Sequence, residues 1–472
     1  MKNTALLKTL VLFFFLLVLA LNPPNKILMV LFVFFSLIFF LFKKNLFYSL
    51  FVSYLISSFL PHGKTYFYQI MNLDFLPQLK DEHPFGLIET IKFTFNDIFT
   101  ILIFFHLIRT MILEKINPIK LVNKVIFVYI LFLIFITLSN FIKSPNFLFS
   151  FYLISGFFKI LIIYFYLLLN KKYLSKYFLI ELLAIIGFFQ SYLAIIQFLN
   201  GAPLGKEIEA IHNIEIFGKT VDEIPFYYRP TGTFTHANLL AGFLLIVISL
   251  ILYLIINYKK ISYCFFLILF LNFFVLILTL SRSAFYSFLI FITILFTIKK
   301  NIFLYYFLKF KKKINKKIII LLLTIIVILI IPIFRLLNIF SAFESTGGFY
   351  TRSLQIIETI KLLSLDPFFG TGTGFSVSEA IRINPYGVFG QFPSPVHNYY
   401  LLLAVENGLP ALGIFIYFLF LLFFEFWKKN EKILSFLLIS LCFYSIFQPM
   451  FYLSEIFYFY AIISKYEKFE KN

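Results

Sequence analysis

Apolar runs close to 20 residues long recur along most of this chain, and a run of that length crosses a hydrocarbon layer about 30 Å thick as one helix. They lie at approximately 5–21, 27–42, 46–60, 96–113, 125–142, 147–169, 177–199, 237–257, 262–280, 284–298, 318–334, 398–424 and 432–464. The last is too long for a single crossing: either Pro449 divides it, or it is one tilted helix with an interfacial tail. The pattern predicts an all-α polytopic membrane protein with about 12–14 transmembrane helices. A large soluble domain is excluded, because only 13% of the residues are charged, where a soluble domain carries about 25%. The N-terminal run to Leu21 competes with a secretory signal. No small-x-small site precedes Asn22-Pro23-Pro24-Asn25 and a second apolar run follows at once, so it reads as a first transmembrane helix that also targets the chain.

The formal charge of +19 reports orientation. Lysines collect in alternate loops: Lys43 and Lys44; Lys115, Lys120 and Lys124; Lys171, Lys172 and Lys176; Lys259 and Lys260; the group from Lys299 to Lys317; Lys428, Lys429 and Lys432. By the positive-inside rule these loops face the cytoplasm. No folded basic domain is present, so nucleic acid is not an expected partner; membrane lipids are. The other loops face outward, and three of them are long: 61–95, 200–236 and 335–397. They hold most of the acidic residues, Gly and Pro, and long loops of this kind carry function or are disordered. The third contains an amphipathic stretch, Tyr350 to Leu365, expected as a helix on the membrane surface. The organisation that follows is N-terminal transmembrane helices over 1–200, a periplasmic loop at 201–236, transmembrane helices at 237–334, a large periplasmic loop at 335–397 and C-terminal transmembrane helices at 398–464.

Lysine is the default cation here, and the chain has only six arginines. Arg109 faces inward; Arg229, Arg282, Arg335, Arg352 and Arg382 all fall on the outward side, against the topological charge rule. Guanidinium presents a planar fork of donors that suits phosphate and stays charged at any relevant pH. Arg229, Arg282 and Arg352 therefore read as ligands of a lipid phosphate or pyrophosphate. Arg335 and Arg382 read equally as headgroup anchors. Arg282 is the sharpest case: Leu280-Ser281-Arg282-Ser283 leaves almost no loop, so its charge sits at headgroup depth, where it needs a partner or a polar cavity.

His236 and His397 each stand just before an apolar run, where free backbone donors and the positive helix end suit an anion and disfavour a protonated imidazole. A neutral imidazole can accept a proton from a hydroxyl. For His236 a helix cap is the stronger reading; for His397, proton transfer. His106 lies inside an apolar span and reads as structural. His62, His83 and His212 lack metal-ligand spacing, and Glu207-Ile208-Glu209 is a poorly supported metal pair, so no metal is expected. Asp81-Glu82 and Asp222-Glu223 read as solvated loop charges. The glycines of Asp366-Pro367-Phe368-Phe369-Gly370-Thr371-Gly372-Thr373-Gly374 suit a tight turn that lets backbone approach a ligand. A dinucleotide loop would need a βαβ context that is missing. Cys264 and Cys442 both sit in apolar segments and form no disulfide framework.

In this order the residues resemble a family, the O-antigen ligase and O-antigen polymerase superfamily of bacterial envelope glycan enzymes. The matching pieces are Gly232-Thr233-Phe234 with Asn238, Ser281-Arg282, Arg352, Pro367 through Gly374, and His397-Asn398 followed by Glu406-Asn407-Gly408-Leu409-Pro410. They span roughly 225–425. One departure is that an aromatic such as Trp often follows the loop arginine in the family, where this chain has Gln355, Ile356 and Ile357. The resemblance implies a C-type glycosyltransferase-like fold. It also implies transfer of a glycan from an undecaprenyl-pyrophosphate carrier to an acceptor hydroxyl, without metal or cofactor. On it, His397 is expected as the general base, with Arg352, Arg282 and Arg229 on the pyrophosphate. Asn398, Gly370, Gly372, His236 and Glu406 support them, Glu406 through packing or cavity polarity. A ligase acting on lipid A–core, in lipopolysaccharide biosynthesis, is the preferred role. An exopolysaccharide or O-antigen polymerase and a protein O-oligosaccharyltransferase are the alternatives within the family, and a glycolipid flippase without chemistry the alternative outside it.

Overall fold

The computed structural model describes residues 46–59, 63–70, 88–205, 228–258, 263–311 and 348–464, with scattered positions in the first 45. His62, His83, His212, Arg335 and the acidic pairs near 81, 208 and 222 lie outside the described residues, as do the expected spans 318–334 and most of 5–21. In chain order the helices are α1 (Leu46–Ser57), α2 (Phe95–Leu113), α3 (Lys124–Lys143), α4 (Phe147–Leu169), α5 (Lys176–Asn200), α6 (Ala237–Asn257), α7 (Tyr263–Leu278), α8 (Arg282–Lys311), α9 (Gly348–Leu365), α10 (Ser376–Ile383), α11 (Val388–Gln391), α12 (Tyr399–Asn407), α13 (Leu409–Lys428), α14 (Lys432–Ser445) and α15 (Leu453–Ile463). The protein is thus helical and polytopic, as the apolar periodicity requires. One departure from a purely helical chain is an antiparallel pair of strands, β1 (Gly63–Ile70) and β2 (Ile88–Thr94), with a register irregularity between Thr65 and Phe67.

Among the described residues six helices, α2 to α6 and α13, are long and apolar enough to cross a membrane. α1, α14 and α15 are apolar but shorter, as are the segments 264–278 and 282–297. Two expected spans are divided. The run 398–424 breaks at Gly408 into the nine residues of α12 and the full-length α13. The run 432–464 breaks around Pro449 into α14 and α15.

Helix starts follow short polar side chains. Thr94 closes a capping box with Asp97 at α2; the side chains of Asn123, Asn146 and Asn398 accept from Ile126 N, Phe149 N and Leu401 N at α3, α4 and α12. Each supplies an acceptor to backbone donors that the helix itself leaves open.

The chain divides into two compact units. One comprises 29–176, 343–431 and 445–472. In it α3 packs on α4 and α13, α4 on α2 and α15, and α12 on α3, α9 and α13. Aromatic rings knit these helices: Tyr129 of α3 lies 5.1 Å from Phe418 and 4.8 Å from Phe457, and Phe132 lies 5.4 Å from Phe415. The other unit comprises 1–28, 177–342 and 432–444. There α6 is almost wholly buried and packs on α7 and α8. Gly187 of α5 lets Val247 and Asn272 approach, and Ser191 donates to Asn272 Oδ1 at 2.7 Å. Small residues and internal hydrogen bonds are how helices adhere where lipid removes the hydrophobic drive.

Candidate active site

Each unit holds part of the expected residue set. In the unit containing α9 and α12, the turn after α9 folds back onto the end of α12. Thr371 N donates to Val405 O and Gly372 N to Glu406 O, both at 2.9 Å, while Leu409 N donates to Pro367 O at 2.8 Å. The terminal carbonyls of α12 are thereby satisfied, as a buried helix end requires. The glycines make the fit possible. Gly370, Gly372, Gly374 and Gly408 all have positive φ. A Cβ on Gly370 would meet Val405 O at 2.5 Å, and one on Gly408 would meet Phe368 O at 1.8 Å. The approach that these glycines permit is to protein backbone: the α12 end for Gly370, and Ser144 for Gly372.

A buried network pins this turn to α3. Asn140 Nδ2 donates to Asn407 Oδ1 at 2.8 Å and to Thr373 Oγ1 at 3.0 Å, and Thr373 N donates to Asn140 Oδ1 at 2.6 Å. Ser150 donates to Thr373 O, and Ser139 to Phe369 O. Lys143 pairs with Asp366, which holds that carboxyl below the usual range against the opposing effect of burial. Glu406 is buried and accepts from Ser376 Oγ at 2.9 Å. This polar scaffold was missed in the sequence. Its signal was available: Ser139-Asn140 in an otherwise apolar run has to find partners, because unpaired amides in an apolar setting are costly.

His397 sits at the start of α12, but Asn398 is the cap. The imidazole Nδ1 is buried and has no hydrogen-bond partner among the described residues. Burial lowers the imidazole pKa to about 3, with the Arg352 guanidinium adding to the effect, so the ring is neutral across the physiological range. Arg352 lies in the first turns of α9, whose next turns clamp the loop leading to His397. Gln355 Nε2 donates to Ser394 Oγ at 3.2 Å, and Glu358 Oε1 accepts from Val388 N at 3.0 Å. Gln355, the residue that departs from the family's aromatic, thus ties the loop that carries His397. Arg382 pairs with Glu379 on an exposed face of α10.

In the other unit, Gly232 lies in a turn gripped by two buried glutamines seven residues apart on α5. Gln197 Oε1 accepts from Gly232 N at 2.8 Å and Thr231 N at 3.1 Å; Gln190 Oε1 accepts from Thr233 N at 3.0 Å. Gly232 has φ 60° and a Cβ there would meet Gln190 Oε1 at 2.4 Å. Arg229 donates through Nε to Thr279 O at 2.8 Å and through Nη2 to Asn238 Oδ1 at 2.9 Å. It therefore ties this turn to the bend before α8, in which Leu280 adopts φ 52°. Arg282 is the first residue of α8 and half-buried, beside the Ser281 and Ser283 hydroxyls. His236 is the cap of α6, its Nδ1 accepting from Asn238 N at 3.0 Å. His106 packs edge-on against Tyr166 at 5.6 Å.

No curated protein matches the chain. Residues 267–416, about a third of the chain, match the family model described as O-antigen ligase. That segment contains Arg282, Arg352, Gly370, Gly372, His397, Asn398 and Glu406. Over that segment the chain is similar to the O-antigen ligase family.

Proposed function

We propose that this protein transfers a glycan from an undecaprenyl-pyrophosphate carrier to an acceptor hydroxyl at the periplasmic face of the inner membrane, with lipid A–core as acceptor. The observation that carries the proposal is the His397 imidazole, kept neutral by burial and by Arg352, inside the segment that matches the ligase family. A neutral imidazole is the form that can take a proton from an alcohol. With Nδ1 sealed, the proton goes to Nε2. The acceptor oxygen attacks the anomeric carbon as the bond from that carbon to the pyrophosphate oxygen breaks, and the carrier leaves as its pyrophosphate. Displacement in one step inverts the anomeric centre.

Arg352 stabilises the charge that develops on the leaving pyrophosphate, an effect worth roughly a hundredfold or more in rate. Arg282, at the positive end of α8, is the anion-binding group of its own unit. Arg229 acts differently from the sequence expectation: two of its donors hold protein acceptors, so it sets the bend that presents Arg282. Gly370, Gly372 and Glu406 build the C-terminal end of α12, Asn398 caps its start, and His236 caps the start of α6.

The test is single-turnover transfer by purified protein in liposomes, with an undecaprenyl-pyrophosphate glycan and lipid A–core. The proposal expects covalent glycan–lipid product. Movement of donor across the bilayer with no product would contradict it and favour a flippase.

A further inference from the structure

A cleft with both apolar and polar walls lies in the unit that holds His397. It has a volume of about 500 Å³ and is bounded by the end of α1, the start of α2, the middle turns of α4 and the start of α15. That size is within the range of about 300–1,000 Å³ typical of ligand pockets. Its walls carry Glu455, Asn96, Lys159 and the hydroxyls of Tyr54 and Tyr458. The two tyrosines are hydrogen-bonded to one another, and Lys159 is paired with Asp97. Glu455 is only 7% exposed and accepts from the neighbouring Ser454 Oγ at 2.7 Å. A buried carboxylate without a cation is costly, and an ionisable side chain among apolar helices marks a functional site by default. A role confined to the first turn of α15, where the helix favours an anion, would not call for a cleft.

Gly156 supplies an independent observation. It lies within α4 and lines the cleft, and a Cβ added there would meet nothing within 4 Å. Glycine inside a helix costs about 1 kcal/mol relative to alanine. No neighbour here requires its small size, as Val247 does at Gly187. What the missing side chain does at Gly156 is keep the cleft open.

The chemistry of the walls selects the occupant. The single cation is already paired, so the cleft does not suit a phosphate. No group of three or more His, Cys, Asp or Glu occurs among the described residues, so it does not suit a metal ion. A carboxylate, an amide and a row of hydroxyls accept and donate in the pattern a polyol presents, and Phe59 and Phe157 add aromatic carbon to the lining, which suits the C–H face of a pyranose. The cleft also adjoins the candidate active site. Tyr399, two residues after His397, packs at 6.0 Å from Phe451, which precedes Glu455 by four residues. Leu153, on the α4 wall, abuts Gly374 of the glycine turn.

The geometry points to this cleft as a binding subsite for neutral sugar residues of a glycan, with Glu455 accepting from sugar hydroxyls. The choice of a glycan rests on the transferase reading, whereas the binding test does not require turnover. Full-length protein in nanodiscs would be titrated with two fluorescently labelled probes, lipid A–core oligosaccharide and the oligosaccharide released from the undecaprenyl-linked donor. The tighter probe identifies whether the cleft serves acceptor or donor. Wild type is expected to bind at least one. Gly156→Leu, which fills the cleft and suits a helix, and Glu455→Gln are each expected to weaken that binding at least tenfold, with melting midpoints near that of wild type. Tyr458→Phe, which removes one hydroxyl, is expected to weaken it severalfold and serves if Glu455→Gln fails to fold. Binding by Gly156→Leu and Tyr458→Phe equal to wild type overturns the inference, as does failure of wild type to bind either probe. Sugar binding without product in the liposome assay would overturn the transferase reading and leave the cleft standing. Product formation with sugar affinity untouched by these variants would do the reverse.

Discussion

His236 and His397 look alike in the sequence: each precedes an apolar run, and each has an asparagine within the next two residues. The structure separates them by what the asparagine does. At α12 the Asn398 side chain caps the helix, which frees the histidine before it. At α6 the histidine itself caps the helix through Nδ1, and the Asn238 side chain accepts from Arg229 instead. One imidazole nitrogen is thus committed to backbone in the first case and to nothing in the second, where Nδ1 of His397 is buried without a partner. The nearby arginines divide in the same way. Arg229 holds a carbonyl and an amide of its own unit, whereas Arg352 contributes to keeping His397 neutral. One region is built for holding shape, the other for keeping an imidazole available.

The largest effect that could break this contrast is at the arginines. Arg352→Lys is expected to lower single-turnover transfer about a hundredfold with an unchanged melting midpoint. Arg229→Lys is expected to lower the melting midpoint and change the transfer rate by less than tenfold. Equal rate losses in the two variants would erase the distinction.

The glycines sharpen it next. Gly408→Ala places a Cβ against the backbone oxygen of Phe368 at positive φ, and a destabilisation of about 3 kcal/mol or more is expected. Gly232→Ala, also at positive φ, has its tightest contact with the end of the Gln190 side chain rather than with backbone, and displacing that side chain gives up its hydrogen bond to Thr233 N, so about 1–2 kcal/mol is expected. Denaturation of purified protein in detergent, followed by intrinsic fluorescence, ranks the two.

A smaller effect concerns pH. The folded His397 pKa is about 3, below the ordinary value of 6.5. Between those values the unfolded chain binds a proton that the folded chain does not, so this contribution to stability is complete above about pH 6.5 and is lost as pH falls toward 3. His397→Gln is expected to flatten the acid side of the melting profile between pH 4 and 6.5. A profile unchanged from wild type would mean that the imidazole is not held neutral. The smallest effect is at the cap: His236→Ala is expected to cost about 1 kcal/mol, and His236→Asn a few tenths, in the same denaturation assay.

Much of this was legible in the sequence because it depends on local spacing. Apolar run length marked the six long helices among the described residues, and Pro449 marked the break between α14 and α15. The arginine and histidine positions stood out against a lysine-rich background. The break at Gly408 was harder to see, because the residues on either side continue the apolar pattern and only the docking of Pro367 and Phe368 requires φ 88° there. The glycine turn read as a ligand loop for a similar reason: spacing reveals that backbone comes close, but not that the approaching group is the end of α12. Arg229 read as a phosphate ligand because its protein acceptor, Thr279 O, lies 50 residues away in sequence. The Glu455 cleft was invisible, since it joins segments from positions 54 to 458.

The most direct test of the account compares the two histidines in one experiment: single-turnover transfer by His397→Ala and His236→Ala, with donor binding measured in parallel. The account predicts that His397→Ala binds donor as wild type does and loses at least a thousandfold in transfer, while His236→Ala keeps transfer within tenfold of wild type and melts earlier. If His236→Ala loses transfer as deeply as His397→Ala while both remain folded and bind donor, the division between a structural and a chemical histidine is wrong.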